Sequence, residues 1–566
     1  KILTCREMIL SEDFLDIIVD YDVIVEILEG ADVEFCYREI DAGYGIAHVR
    51  RSQVQPVSIG NYGYSTIPKL YGLMQAGERG FDASPLAAMG NIRVQNPPLA
   101  LQGSGVIVGF VDTGIDYRED VFRREDGSSR ILSIWDQTIQ TGEPPEGFAY
   151  GTEYRRADID RALAAAEPET VVPSTDTNGH GTKMASAAAG SLLDQGLTFR
   201  GAAPLADIAV VKLKSAKAYL RDYYLIDDRA EAFAENDIME AVKYLQQMAV
   251  AFSRPVVIVI GLGTNMGSHD GTSALDSYLN IVAGRRSRAV VVGGGNEGDR
   301  EHHYENFMPS NVEIRVAGQM KGFCAEIWGS LPDVYAVSIR SPGGEVSPVI
   351  DFRNGMDRNV SFIFERTRIQ VGIVLVEKDA GDPLIFLRFV DPTPGIWTVT
   401  LTASARGPNG DGIYHMWLPI EEFLEQSVTF LQPSPDVTLT EPANASQVIT
   451  ISAYDSYTDS WYASSGRGFS RSGGIKPDLA APGVGVHTAL GETDGSCMAA
   501  ALAAGCVAQF LEWAIVDGNA FAVDSRGTKS FLIQGAERPG NIRYPDKRWG
   551  YGRININGTF ETLARL

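Results

Sequence analysis

Short, uninterrupted runs of apolar residues recur along the middle of the chain, and they constrain its fold more than any other feature. Four of them span Val106–Val111, Ile208–Leu213, Val256–Ile260 and Ala289–Val292. Stretches with helical character, such as Arg229–Phe252, lie between them. Apolar runs without polar alternation are typical of strands buried on both faces, so the pattern predicts an α/β fold with a parallel sheet and helices on each side. In such sheets the chemistry lies beyond the carboxyl ends of the strands.

Between residues 311 and 425 the pattern changes to β-rich segments separated by turns, and Ile396–Leu401 alternates polar and apolar residues. The predicted strands are Val334–Arg340, Thr367–Val376, Ile385–Val390 and Ile396–Ala403. Alternation of this kind is typical of antiparallel sheets with one buried face, so the segment is predicted to be a β-sandwich or jelly roll. Helix-forming and small residues return after about residue 445. The β segment is therefore expected to be an insertion within the α/β domain.

The residues before the first apolar run form a separate unit. Residues 1 to about 75 mix strand-like and helix-like pieces, and Ser58–Tyr71 is rich in Gly, Tyr and Pro. That composition favours an extended tail. The sequence therefore predicts a small α+β unit followed by a linker.

Composition narrows the range of possible functions. The chain of 566 residues has a net charge of −23, which argues against nucleic acid as a partner. No apolar run of about 18 residues is present, so no membrane partner is expected, and no secretion signal is visible, although a trimmed N-terminus would hide one. The five scattered cysteines lack C-x-x-C spacing, which predicts against a disulfide framework and a zinc site. No calcium-loop motif occurs, and no metal or cofactor is expected.

Four segments place chemically useful side chains where strands end or helices begin. Asp112 follows an apolar strand in V-D-T-G, and it could orient an imidazole or simply cap a turn. His180 lies between two glycines in N-G-H-G-T at a predicted helix start, as suits a general base. Asn296, in G-G-N-E-G, could donate to an oxyanion or stabilise a turn.

The fourth segment, G-S-C-M-A-A-A-L-A-A-G, spans Gly495–Gly505 and predicts a helix that begins at Ser496 and Cys497. The N-terminus of a helix lowers the pKa of a thiol or hydroxyl and favours a nearby oxyanion. A buried packing helix would also explain the alanines, but not the Gly-Ser-Cys at its mouth.

Together these motifs resemble those of the subtilisin-like serine proteases, whose catalytic residues follow the chain order Asp, His, Ser. The segment K-P-D-L-A-A-P-G, Lys476–Gly483, is a fifth match. The resemblance covers about residues 100–310 and 445–560. It implies a hydrolase with a catalytic triad, and Asp112, His180 and Cys497 hold the corresponding positions.

A closer resemblance is to the Csp-type germination proteases of clostridia and their relatives in gut Firmicutes. It depends on Y-G-Y-S-T-I-P-K-L-Y-G-L-M, V-Q-N-P-P-L, I-W-D-Q-T-I-Q-T-G and L-G-T-N-M-G-S-H-D-G-T-S. It implies a prodomain at 1–75, a subtilase domain at 76–310 and 426–566, and an inserted jelly roll at 311–425. It also implies a location in spores and activation of a cortex-lytic zymogen. Some members have lost triad residues and act as pseudoproteases.

The nucleophile depends on how the helix motif is aligned with the family pattern G-T-S. One register places Gly495, Ser496 and Cys497 on the glycine, threonine and serine, and the other places Ser496 on the serine. The first is favoured because the second rotates the alanine helix by about 100 degrees. A native thiol enzyme, a nearly inactive regulator and an engineered replacement of serine all fit. The Cys497 N–H and Asn296 would then hold the oxyanion.

The resemblance also suggests which residues bind substrate. Gly261, Leu262, Gly263, Val292, Gly293 and Gly294 match the segments that pair with the substrate backbone. The residues Tyr71–Gln75 would occupy that groove as a built-in inhibitor, and self-cleavage is expected near Gln75. His269 and Asp270 are adjacent in a loop and are interpreted as structural.

The function predicted from the sequence is therefore an endopeptidase that removes its own prodomain and activates a protein zymogen. The alternative is a catalytically impaired pseudoprotease that acts as a germination regulator or scaffold. The expected partners are a protein or peptide substrate and the prodomain itself.

Overall fold

The computed structural model describes residues 3–20, 33–74, 85–191 and 200–565. The N-terminal part contains a three-stranded antiparallel sheet in the order β1-β3-β2. Its elements, with the tail that follows, are α1 Cys5–Leu10, β1 Phe14–Asp20, β2 Phe35–Asp41, β3 Tyr44–Arg50, α2 Ile59–Tyr62 and β4 Leu70–Leu73. A disulfide joins Cys5 on α1 to Cys36 on β2. The prediction against disulfides from cysteine spacing is wrong for this pair, because only the fold brings the two elements together.

The centre of the molecule is a nine-stranded sheet, mostly parallel, that confirms the predicted α/β class. Its strand order is β24-β23-β12-β10-β5-β8-β6-β7, with β25 paired to β23. The strands are β5 Ile107–Asp112, β6 Ile131–Asp136, β7 Thr152–Arg155, β8 Asp207–Lys212, β10 Val256–Ile260, β12 Arg288–Gly293, β23 Ile449–Asp455, β24 Ser460–Trp461 and β25 Leu479–Pro482. Only β7 and β24 are antiparallel to their neighbours.

Helices cover both faces of this sheet. The helices from residue 85 onward are α3 Pro85–Ala88, α4 Asn91–Gln95, α5 Arg156–Leu163, α6 His180–Ala189, α7 Ala218–Tyr224, α8 Glu235–Ala251, α9 Ala274–Ala283, α10 Ser496–Leu511, α11 Ser525–Gly535 and α12 Ile556–Leu563. Val108 and Phe110 of β5 pack in one core with α6 and α10. Ile107 and Val111 face the other core, with α8 and α9. The uninterrupted apolar runs therefore reflect burial on both sides.

Helix α10 lies in the interior, and every residue from Ser496 to Leu511 is buried. Among the described residues, the stretch Ser496–Val516 is the one helix long and apolar enough to cross a membrane. However, 83% of its apolar window is buried inside the protein. It is the central packing helix of the fold, and its alanines allow close approach of the surrounding strands.

Two antiparallel sheets lie between His303 and Phe430 and share one hydrophobic core. Their orders are β13-β21-β15-β19-β18-β17 and β16-β20-β14-β22. The strands are β13 His303–Phe307, β14 Ser310–Val316, β15 Gly322–Gly329, β16 Val334–Arg340, β17 Asp357–Ser361, β18 Arg368–Val374, β19 Leu384–Val390, β20 Gly395–Ala405, β21 Ile413–Trp417 and β22 Val428–Phe430. We call residues 303–430 the β-sheet unit. The predicted division of the chain at residues 75, 310 and 425 remains a prediction.

The tail strand β4 leaves the N-terminal part and enters the surface of the α/β part. It forms a three-stranded sheet between β9, Phe233–Ala234, and β11, Leu262–Gly263. The remaining short strands, β26 Val486–Thr488 and β27 Gly491–Thr493, form a hairpin just before α10. This places β4 at the carboxyl edge of the large sheet, where the predicted site residues lie.

Candidate active site

Asp112 is the last residue of β5, and its carboxylate faces the first turn of α6. Asp112 Oδ1 accepts a hydrogen bond from the Thr113 N–H at 2.7 Å. The same oxygen lies 2.7 Å from His180 Nδ1. Both side chains are only 1% exposed. A buried carboxylate on Nδ1 fixes the orientation of the ring and turns Nε2 toward the reacting groups.

His180 begins α6, and the glycines on either side explain how it reaches Asp112. Gly179 adopts a φ of +83°, which a residue with a side chain rarely does. A Cβ on Gly181 would lie 2.1 Å from the Gly114 carbonyl oxygen, so only glycine permits this approach. Burial lowers the pKa of His180, but the charges of Asp112 and Cys497 outweigh it and raise that pKa well above its usual value.

Cys497 is the second residue of α10, and its thiol faces the backbone of the tail strand. Cys497 Sγ lies 2.8 Å from the carbonyl oxygen of Met74. The side chain of its neighbour Ser496 takes another direction, with Oγ 3.8 Å from the sulfur of Met74. Of the two neighbours, Cys497 is the one whose side chain lies against the Met74 carbonyl oxygen, and its role as nucleophile stays a prediction.

Asn296 follows β12 and is held against the start of α10. Its Oδ1 accepts a hydrogen bond from the Ser496 N–H at 3.0 Å. Its amide nitrogen and the Met74 carbonyl oxygen both lie near Gly495, since a Cβ on that glycine would be 3.5 Å from the nitrogen and 3.1 Å from the oxygen. The Cys497 N–H belongs to the first turn of α10, where N–H groups have no partner within the helix.

Replacing Asn296 with alanine is expected to slow peptide-bond cleavage by about 10²- to 10³-fold, because one oxyanion donor is lost. The measurement is the rate of chain cleavage followed by intact mass. Asn280→Ala is the matched control, since Asn280 accepts from the Gln447 N–H at 2.8 Å on another part of the fold. If the two variants cleave the chain at the same rate, Asn296 is not an oxyanion donor.

Four of the six predicted substrate-binding residues lie against β4 and Met74. Leu262 and Gly263 of β11 pair antiparallel with Leu73 and Gly72. The Met74 N–H donates to the Gly261 carbonyl oxygen at 3.4 Å. Gly293 lies beside the methyl end of the Met74 side chain, since a Cβ there would be 3.0 Å from it.

Val292 and Gly294 lie in the same segment as Gly293, but their contacts hold that segment in place. Val292 is buried in the core of the sheet, and Gly294 donates to the Ile451 carbonyl oxygen at 2.8 Å. The segment around β12 is thereby held beside the groove.

The predicted cleavage residue Gln75 lies outside the described residues. Met74, just before it, is 4% exposed and has its carbonyl group at the thiol of Cys497. The sequence pointed to the segment Tyr71–Gln75 but did not single out Met74. It gave no sign of Thr440, whose Oγ1 lies 3.6 Å from the Met74 sulfur.

His269 and Asp270 stay apart from the reacting groups. The His269 ring stacks on Trp417 with 4.0 Å between centroids, and each ring nitrogen faces a backbone carbonyl oxygen at 2.9 or 3.0 Å. Burial lowers its pKa to about 4. Asp270 pairs with Arg471 at 3.0 Å. These contacts fit the structural interpretation.

Metal-ligating side chains do not cluster in the described residues. No group of three or more His, Cys, Asp or Glu side chains there could hold a metal ion. The arrangement around Cys497 consists of an acid, an imidazole, a thiol and an amide, which is a set suited to nucleophilic acyl transfer.

Comparison with known proteins identifies the family of this chain. A model of the subtilase family matches residues 103–337 and 431–552. The subtilisin-like protease SBT3.6 of Arabidopsis thaliana is 23% identical over 429 residues, which are 69% of this chain and 52% of that protein. SBT3.18 of the same plant is 26% identical over 259 residues, 42% of this chain and 31% of that protein. The chain thus spans about half the length, or less, of these curated relatives.

One solved structure is similar over most of the fold. The CspB protease of Clostridium perfringens superimposes with a TM-score of 0.75 and 28% sequence identity. The alignment covers 85% of this chain and 99% of that one.

Proposed function

The chain belongs to the subtilase family and has the Csp-type protease among its structural relatives, and on that premise we propose that it is an endopeptidase. Its first substrate is its own chain, cut between Met74 and Gln75. Its later substrate is a protein zymogen, for which a spore-cortex-lytic enzyme precursor is the candidate that the family resemblance suggests. The observation that supports the proposal best is the Met74 carbonyl group, 2.8 Å from the thiol of Cys497.

The proposed reaction assigns a residue to each step. His180 Nε2 takes the proton of the Cys497 thiol, and the sulfur attacks the carbonyl carbon of Met74. The Asn296 amide and the Cys497 N–H stabilise the oxyanion. The intermediate then expels the amine of Gln75, which takes the proton from His180. Water activated by His180 hydrolyses the thioester and frees the carboxylate of Met74.

The bound tail explains why the catalytic groups are buried. Asp112, His180 and Cys497 are each 1% exposed while β4 fills the groove. A protein substrate can enter only after the tail leaves, so residues before Gln75 act as an inhibitor as well as a substrate.

A second candidate function is retention of the tail without turnover, as in a regulatory pseudoprotease. The thiol of Cys497, at the position where the family pattern has serine, favours it. Sulfur is larger than oxygen, and a small misplacement of the nucleophile slows attack by orders of magnitude.

The mass of the purified chain tests the proposal directly. We expect two fragments that meet at the Met74–Gln75 bond, with Gln75 as the new N-terminus by sequencing. A single uncut chain after prolonged incubation would contradict the peptidase proposal and support retention of the tail.

A further inference from the structure

The side chain of Met74 fills a pocket beside the nucleophile. Gly263 and Gly293 form two of its walls. A Cβ on Gly263 would lie 3.0 Å from the Met74 sulfur, and a Cβ on Gly293 would lie 3.0 Å from the Met74 methyl group. The pocket therefore fits closely around an unbranched side chain and leaves little width for a ring.

Two hydroxyl groups converge on the sulfur atom. Thr440 Oγ1 lies 3.6 Å from Met74 Sδ, and Ser496 Oγ lies 3.8 Å from it. Both hydroxyls are buried, with Thr440 2% and Ser496 0% exposed. A thioether sulfur is a weak acceptor, so both groups can donate to it. A saturated carbon in the same place would leave two buried hydroxyls without this partner.

Thr440 is held in position by the backbone on both sides. Its N–H donates to the Gly294 carbonyl oxygen at 3.2 Å. The next residue, Glu441, exchanges two backbone hydrogen bonds with Thr264, at 2.8 and 3.0 Å. The Thr440 hydroxyl is also close to the positions that a Cβ on Gly263 or Gly295 would take. The donor is thus placed by rigid elements rather than by a free loop.

We propose that this pocket selects methionine at the residue before the cleaved bond, with Thr440 as the specificity-determining residue. The inference depends on the proposed peptidase function and adds a preference for substrate. Thr440 selects methionine in two ways: its side chain limits the width of the pocket, and its hydroxyl donates a hydrogen bond to the methionine sulfur.

Synthetic peptides test the preference. The series is Leu-Tyr-Gly-Leu-X-Gln-Ala, where X is methionine, norleucine, leucine or phenylalanine, and the enzyme is the self-cleaved chain. Norleucine has the shape of methionine but no acceptor. We expect kcat/KM for methionine to exceed that for norleucine by about 5-fold and that for phenylalanine by at least about tenfold.

Two variants of Thr440 separate the hydroxyl from the rest of the side chain. Thr440→Val keeps the shape and removes one of the two donors, so its ratio of methionine to norleucine should fall from about 5 to about 2, with Ser496 still donating. Thr440→Ser keeps the donor and should keep the ratio. Equal cleavage of methionine and norleucine peptides by the unaltered chain would overturn the inference.

If no peptide is cleaved, the result counts against the peptidase function. A stability measurement then still tests the contact between Met74 and Thr440. Met74→Leu and Thr440→Val are made singly and together in a Cys497→Ala chain, and thermal unfolding is recorded. If the residues interact as proposed, the double variant loses less stability than the sum of the two single losses. Additive losses would overturn the role of Thr440 even without activity.

Discussion

Cys497→Ala is expected to abolish cleavage of the Met74–Gln75 bond, with a loss of about 10⁶-fold if the thiol is the nucleophile. The physical reason is that, in the described part of the chain, the Cys497 thiol lies at the Met74 carbonyl oxygen, whereas the Ser496 hydroxyl faces the Met74 sulfur. The measurement is the fraction of intact chain over time, by mass spectrometry.

The matched control for this variant is Cys506→Ala. Cys506 lies on the same helix and is also buried, but its sulfur faces Asn91 at 3.4 Å rather than the groove. Its loss should leave the cleavage rate close to that of the unaltered chain. If Cys497→Ala cuts as fast as this control, Cys497 has no catalytic part.

Cys497→Ser distinguishes the two candidate functions. The serine hydroxyl is smaller and keeps a nucleophilic atom beside His180. If the serine chain cuts itself and the native chain does not, the native site is the impaired one and tail retention is its function. If the native chain cuts at a comparable rate, the thiol is a working nucleophile.

Asp112→Asn is expected to slow cleavage by about 10⁴-fold while the fold persists. An amide would donate to His180 Nδ1 and place the proton of the neutral ring on Nε2. Nε2 could then no longer take the thiol proton. Cleavage rates by intact mass, with thermal unfolding as a check on folding, measure the effect.

Asp270→Asn provides the comparison, because it makes the same chemical change beside another histidine. Asp270 bonds to Ser268, Thr272 and Arg471, and none of these contacts leads to Cys497. Its cleavage rate should stay within a few-fold of the unaltered chain at temperatures where the variant is folded. A loss as large as that of Asp112→Asn would mean that the site includes the His269 region.

Much of the fold could be predicted from local patterns. The runs from Val106 to Val111 and from Val256 to Ile260 became neighbouring parallel strands, because burial on both faces leaves no polar position in a strand. Four strands predicted in the β-sheet unit occur within two residues of their expected ends. The ends of these strands could be predicted because β-rich segments lie between turns, and in the last strand because polar and apolar residues alternate.

The sequence by itself determined the α/β class and brought Asp112, His180, Asn296 and Cys497 forward as candidates, because each lies in a short motif at a strand end or helix start. The register of the alanine helix already favoured Cys497 over Ser496, and the tertiary structure added the direction of each side chain, which depends on how α10 packs. Only strand pairing placed Met74 at the thiol, because the register of β4 against β11 decides which carbonyl arrives there. Thr440 lies far along the chain from the other pocket residues, beyond the β-sheet unit, and only folding brings it to the Met74 side chain.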